Sequence, residues 1–232
     1  MRQQTLDPRI KAHATFARFY PGPNQTMLAM LQTLKPGTLC VLLGDSGCGK
    51  THLLHALAHQ NQPQACFYAP MKRILHHQPT ILAEVEQHHA VILLDDLDSI
   101  ALEPAWQQAC VHMINQAQFY KKTVVLSAHN APQVFKSMLP DLQSRLTSGL
   151  VFHIKPLPDD TLAQLLLQMT EEKGLTISDA HFRYIMHHGP RQVGPLQQLL
   201  TSLDQQSLMQ KKPITLPLIK KALKTLQANP TY

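Results

Sequence analysis

Residues 44–51 read GDSGCGKT, and residues 52–57 continue HLLHAL. The first eight fit GxxxxGK[ST] at every fixed position. Glycines in such a loop let backbone N–H groups turn inward around phosphate oxygens, and the N-terminus of a following helix adds positive potential. Lys50 then reaches the terminal phosphates and Thr51 offers a hydroxyl to Mg²⁺. This chemistry needs a strand before the loop and a helix after it. Residues 39–44, LCVLLG, form a short apolar run of the kind that makes a buried parallel strand. Residues 50–60, KTHLLHALAHQ, read as the helix, with Leu53, Leu54 and Leu57 on one side. His52, His55 and His59 fall opposite, where solvent or a polar neighbour is expected.

Working outward, four more strand-like runs follow: 65–70 (ACFYAP), 90–96 (AVILLDD), 123–129 (TVVLSAH) and 149–157 (GLVFHIKPL). A helical pattern, WQQACVHMINQAQFY, lies between the third and fourth strands of the set. Strands alternating with helices predict an α/β fold with a five-stranded parallel sheet covered on both faces. After Pro158 no strand-like run survives. Leu162, Leu165, Leu166 and Met169 make one helical stripe, Phe182, Ile185 and Met186 a second, and Leu196, Leu199, Leu200 and Leu203 a third. A last helix is expected to start near Thr215 as N-cap, with Pro217 in its first turn, and to run to Gln227. The segment KPLPDD (155–160) therefore divides an α/β domain from a small all-helical lid. The expected organisation is an N-terminal arm (1–14), a nucleotide-binding domain (15–157) and the lid (158–232).

The second half of the chemistry lies in VILLDDLDSI, residues 91–100. A carboxylate at the end of a buried strand beside the loop is placed to hold the magnesium shell through water. Asp95 is expected in that role, and Asp96 as the group that orients or deprotonates an attacking water. Capping of the next helix is the structural alternative for the pair.

Composition narrows the rest. The net charge of +6 suits a polyanion nearby, yet the basic pairs Lys72-Arg73, Lys121-Lys122, Lys211-Lys212 and Lys220-Lys221 are scattered and read as solvated faces. The four cysteines form no CxxC pair, so reduced, buried thiols are expected rather than disulfides or a zinc ribbon. Although there are 14 histidines, no HExxH or Cys/His set appears, and Mg²⁺ is the metal expected. No apolar run approaches the roughly 18 residues of a membrane span. A cytoplasmic protein without membrane partners is the expectation.

The ordered set GDSGCGKTHLLHAL, VILLDDLDSI and LPDLQSRL, followed by a helical lid, resembles the AAA+ ATPases of the bacterial replication initiator DnaA clade. The upstream TFARFYPGPNQTML (15–28) is most similar to the Hda subgroup, the regulatory inactivators of DnaA. That resemblance implies an ADP or ATP site built from Gly44, Gly47, Cys48, Gly49, Lys50, Thr51 and His52, with Mg²⁺ at Thr51 and Asp95. It implies that Phe19, Tyr20 and Gly22 pack near the adenine. His129 and Asn130 match the polar sensor at a strand end, and Arg191 matches the lid arginine that contacts nucleotide. Gly194-Pro195 interrupts the helix that follows Arg191, which either starts late or bends there. Arg145 matches the arginine finger supplied in trans to a neighbour's nucleotide.

The resemblance also implies function. The chain stops five residues after Gln227, so the initiator's helix-turn-helix module is not expected. Residues 71–90 leave room for one helix, where initiators carry an added one for single-stranded DNA. Gln3 and Leu6 of QQTL resemble a degenerate sliding-clamp peptide. The implied protein is an Hda-like regulator that docks on the DNA-loaded clamp, meets DNA through it, and stimulates ATP hydrolysis by DnaA through Arg145. The alternative is an autonomous DNA-stimulated AAA+ ATPase of helicase-loader or transposition-helper type, working as a homo-oligomer.

Overall fold

The computed structural model describes residues 10–11, 13–61, 65–131, 137–210 and 213–228. The chain separates into two compact units, one running to Asp45 and resuming as Gly49–Ile154, the other comprising Lys155 onward together with Ser46–Cys48. In the first, α1 (Gln25–Gln32) precedes β1 (Leu39–Leu43), α2 (Lys50–Gln60) and β2 (Cys66–Pro70). Then come α3 (Met71–Ile74), α4 (Ile81–His88), β3 (Val91–Asp95), α5 (Pro104–Phe119), β4 (Thr123–Ala128), α6 (Pro140–Ser148) and β5 (Leu150–His153). The strands form one sheet in the order β2-β3-β4-β1-β5, and every neighbouring pair is parallel.

β1 and β3 are buried at all five positions, as continuous apolar runs in a sheet covered on both faces must be. One face carries Val41, Leu43, Ile92, Leu94, Val124 and Leu126 against Trp106, Cys110, Met113 and Ile114 of α5 and Leu142 and Leu146 of α6. Register decides what the carboxyl edge presents. Leu42 pairs with Ser127, Leu94 with Leu126 and Pro70 with Asp95, so Asp95 stands level with Ser127 of the next strand.

Two expectations need correction. β5 is an edge strand of four residues rather than the nine of residues 149–157, and its Leu150 and Val151 are exposed. Its apolar run continued past the last residue that finds a ladder partner. Residues 71–90 hold two helices, the single-turn α3 and the eight-residue α4, where one was expected. The histidine face of α2 meets a polar neighbour, one of the two expected surroundings, and His55 is 3 % exposed. Backbone groups of Lys11 and Thr15 meet it. The Lys11 N–H donates to His55 Nδ1 at 3.1 Å, His59 Nε2 meets the Lys11 carbonyl at 3.1 Å, and His52 Nε2 meets that of Thr15 at 2.8 Å.

Cys40, Cys66 and Cys110 are buried and free. Burial pushes the thiols of Cys40 and Cys110 up to about 12 and that of Cys66 to about 11, so all three stay protonated and inert.

The second unit contains α7 (Asp159–Glu172), α8 (Asp179–His188), α9 (Val193–Gln210) and α10 (Leu216–Ala228). The first and third stripes read from the sequence are buried throughout: Leu162, Leu165, Leu166 and Met169 on α7, Leu196, Leu199, Leu200 and Leu203 on α9. Of the second stripe only Ile185 is fully buried, with Phe182 and Met186 half-buried. α9 starts late: Gly194 and Pro195 occupy its first turn, where a missing N–H breaks no intrahelical bond, and Arg191 precedes it.

Candidate functional site

Where β1 ends, the glycine loop reverses the chain into α2. Gly49 is the N-cap of α2 in a left-handed conformation, φ +103°, and a Cβ there would lie 2.8 Å from Phe19 Cε2. Only glycine fits. The Phe19 ring thus lies directly on the loop, and its centroid is 5.9 Å from the His52 ring. Tyr20 is half-buried and Gly22 is exposed, opening a short turn, Gly22–Asn24. Lys50 is only 8 % exposed, and its ammonium donates to the carbonyls of Gly44 at 2.6 Å and Asp45 at 3.1 Å. A cation is therefore held within the turn at the foot of a helix. That is a fitting cradle for polyphosphate.

Asp95, the last residue of β3, is 2 % exposed and receives three hydroxyls. Thr51 Oγ1 donates to Asp95 Oδ2 at 2.7 Å, and Tyr68 OH to the same oxygen at 2.9 Å. Ser127 Oγ donates to Oδ1. Such donors offset the cost of burying a carboxylate. Burial and the adjacent Asp95 charge push the Tyr68 hydroxyl strongly up, so it remains a donor at every physiological pH. Thr51 beside a buried acidic oxygen is also a donor set that suits Mg²⁺, a hard cation held by oxygen. Thr51 would hold it directly and Asp95 from beyond its water shell.

Asp96 turns away in the left-handed conformation, φ 57°. Its N–H donates to Ser127 Oγ at 3.0 Å, so one hydroxyl joins both acidic residues to β4. Burial first, then the Asp95 charge, raises its carboxyl above the ordinary aspartate range. Asp98 fastens the exit of β4, accepting from the N–H groups of His129 at 2.6 Å and Asn130 at 3.2 Å. The two sensor candidates are thus fixed by their backbone, and both are exposed.

Arg145 lies in the last turn of α6, exposed, and among the described residues no ion pair or side-chain hydrogen bond engages its guanidinium. Gln107, fully buried on α5, braces the start of that helix. Its Nε2 donates to the carbonyls of Ile100 at 2.9 Å and Ala101 at 2.8 Å, and its Oε1 accepts the Leu139 N–H at 2.6 Å. In the other unit, Arg191 pairs with Asp159 at 2.7 Å across an exposed surface. Cys48 is half-buried. Gln3 and Leu6 lie outside the described residues. Among the described residues no cluster of three His, Cys, Asp or Glu could hold a metal, and no helix is long and apolar enough to cross a membrane.

Sequence reasoning missed Tyr68, Ser127, Asp98 and Gln107. Ser127 had a signal, as the polar residue in an otherwise apolar strand. Tyr68 had none, since an aromatic in a buried strand reads as core.

A parallel sheet with a glycine loop after β1, acidic residues at the end of β3 and a helical second unit defines a P-loop protein of the AAA+ class. The chain belongs to the family described as the bacterial DnaA ATPase domain, which matches residues 11–153, and its residues 159–223 match the Hda lid domain. A Haemophilus influenzae protein described as uncharacterized is 30 % identical over 220 residues, covering 90 % of this chain and 93 % of its own. Domain III of the Thermotoga maritima initiation protein DnaA superposes with a TM-score of 0.79 at 21 % identity, over 94 % of this chain and 98 % of that one. AMPPCP-bound DnaA from Aquifex aeolicus gives 0.70 at 18 % identity, over 87 % of this chain and 70 % of that one. The Thermotoga maritima RuvB branch migration motor gives 0.61 at 16 % identity, over 83 % and 63 %.

Proposed function

We propose that this DnaA-related AAA+ protein is an Hda-like regulator of replication initiation. It carries ADP or ATP with Mg²⁺, docks on the DNA-loaded sliding clamp through Gln3 and Leu6, and stimulates ATP hydrolysis by DnaA. Arg145 is the observation that carries this reading. It is exposed on α6 and unengaged among the described residues. A guanidinium left free at a surface is available to a nucleotide held by another protein, where neutralising transition-state charge in trans is worth roughly 10³–10⁵ in rate in systems of this kind. The match to an Hda-type lid supports the same assignment.

In its own site, the loop from Gly44 to Thr51 binds the phosphates and Phe19 and Tyr20 flank the base. Bound Mg²⁺ would neutralise phosphate charge. Asp95, with three hydroxyls on it, acts as an acceptor and not as a base. Asp96, half-buried and with its carboxyl raised, is the residue suited to take a proton from water. Arg191 leaves Asp159 for phosphate when the lid engages, an exchange that costs little because an exposed pair is worth about 0–1 kcal/mol.

The test is ATP turnover by purified DnaA, with and without this protein, on clamp-loaded DNA. Stimulation is expected only when clamp and DNA are both present. Arg145→Ala should abolish it while leaving nucleotide binding intact. Loss of nucleotide binding in that variant would refute the finger. The complete loop, with Lys50 held inside it and Thr51 on Asp95, favours a second reading as an autonomous DNA-stimulated ATPase. That reading requires turnover by the isolated protein, lost in Lys50→Ala and Asp96→Asn.

A further inference from the structure

The three hydroxyls on Asp95 come from three different elements, and one of them, that of Thr51, belongs to the phosphate loop itself. The other two have no part in any phosphate contact described above. An ionised carboxylate offers about four acceptor positions, two on each oxygen. Thr51 and Tyr68 fill both on Oδ2, and Ser127 fills one on Oδ1. A single position remains, on Oδ1. With all three donors in place the carboxylate has no rotational freedom, and it cannot grip a cation through both oxygens.

Tyr68 is itself fixed. Its ring meets the ring of His55 edge-to-face with centroids 4.5 Å apart, in a wall that is buried on both sides. Ser127 is fixed by the strand register and by the Asp96 N–H that it accepts. Neither group is positioned by chance rotamer choice. Beyond offsetting the burial of the carboxylate, the two together decide which acceptor position stays open.

We propose that Tyr68 and Ser127 are positioning residues for magnesium: they lock Asp95 so that the one acceptor position left, on Oδ1, holds the ion through a water. The inference rests on the reading of this site as a Mg²⁺-nucleotide site and deepens it. Partners of this outer kind typically contribute 10–100-fold to metal affinity. Their effect is confined to the metal-dependent part of nucleotide binding, since neither touches the loop backbone that meets phosphate.

The experiment measures the affinity of a fluorescent, non-hydrolysable ATP analogue in EDTA and across a Mg²⁺ titration, for the wild-type chain, Tyr68→Phe, Ser127→Ala and Ser127→Thr. Tyr68→Phe deletes one hydroxyl and keeps the ring on His55, so a folded variant is secured, and thermal unfolding verifies each protein. The expected result is a rise of about tenfold or more in the Mg²⁺ concentration needed for half-maximal effect in Tyr68→Phe and Ser127→Ala. Affinity in EDTA stays unchanged, and Ser127→Thr behaves as wild type. Equal Mg²⁺ requirements in all four proteins would overturn the proposal. So would an equal loss with and without Mg²⁺, which would make the two hydroxyls general supports of the fold. A wild-type chain that binds the analogue with no Mg²⁺ response would instead refute the magnesium site itself.

Discussion

Gly49 concentrates the demands of the site in one residue. It must adopt φ +103° to start α2 and must leave space for Phe19, whose Cε2 lies 2.8 Å from where a Cβ would stand. Gly49→Ala therefore meets strain and a clash together. Each such strain costs on the order of 1–3 kcal/mol, and relief is available only by moving Phe19 or unwinding the first turn. Either movement damages nucleotide binding, so the variant is expected to lose at least tenfold in affinity for ATP or ADP by calorimetry, with a lowered Tm. An unchanged affinity would show that Phe19 is no part of the nucleotide site. Gly47 shares the positive φ, at +78°.

At the scale of elements, the sheet edge was legible and the cross-braces were not. The order of strand, glycine loop and helix followed from periodicity and spacing, because a phosphate loop dictates both its neighbours. Asp95 and Asp96 were legible because paired carboxylates seldom close a buried apolar run. Gln107 was invisible in the sequence: a glutamine inside WQQACVHM reads as one polar position on an amphipathic helix. It is fully buried and serves backbone groups on both sides, tying Ile100 and Ala101 after β3 to Leu139 before α6. Only tertiary approach of two loops creates that need. The polar histidine face of α2 was legible, but not which polar neighbour covers it: backbone 37 to 48 positions earlier in the chain. Gln107→Leu fills the same volume and removes the amide that serves the Ala101 carbonyl and the Leu139 N–H. It should destabilise the protein by about 2–4 kcal/mol in urea denaturation. Because α6 carries Arg145, it should also lower the proposed stimulation of DnaA more than it lowers nucleotide affinity. Equal losses of both would mean that the brace does not serve α6.

Across the whole molecule, the buried histidine makes stability depend on pH. Burial is the main force on His55 and lowers it from 6.5 to about 4, against the opposing pull of Asp95 and with help from Lys11, His52 and His59. His52 is lowered in the same direction, again chiefly by burial. A group held neutral in the native state and free to charge in the unfolded one binds more protons when unfolded. Stability is then complete above pH 6.5, falls as pH drops from there, and the loss is finished near pH 4. For His55 the whole interval amounts to about 3 kcal/mol. Asp96 acts with the opposite sign, since its raised carboxyl keeps a proton in the native state and so favours folding as pH falls. His55, buried where Asp96 is half-buried, carries the larger shift. Protonation of His55 also removes the acceptor for the Lys11 N–H, so the backbone at Lys11 should loosen before the sheet does. Urea denaturation at pH 7.5 and pH 5 is expected to show a drop in wild-type stability that His55→Asn, which cannot take up the proton, shows less. Hydrogen exchange should report faster opening near Lys11 than in β1 and β3 as the pH is lowered. Identical pH slopes in the two proteins would assign the acid sensitivity to groups other than this histidine.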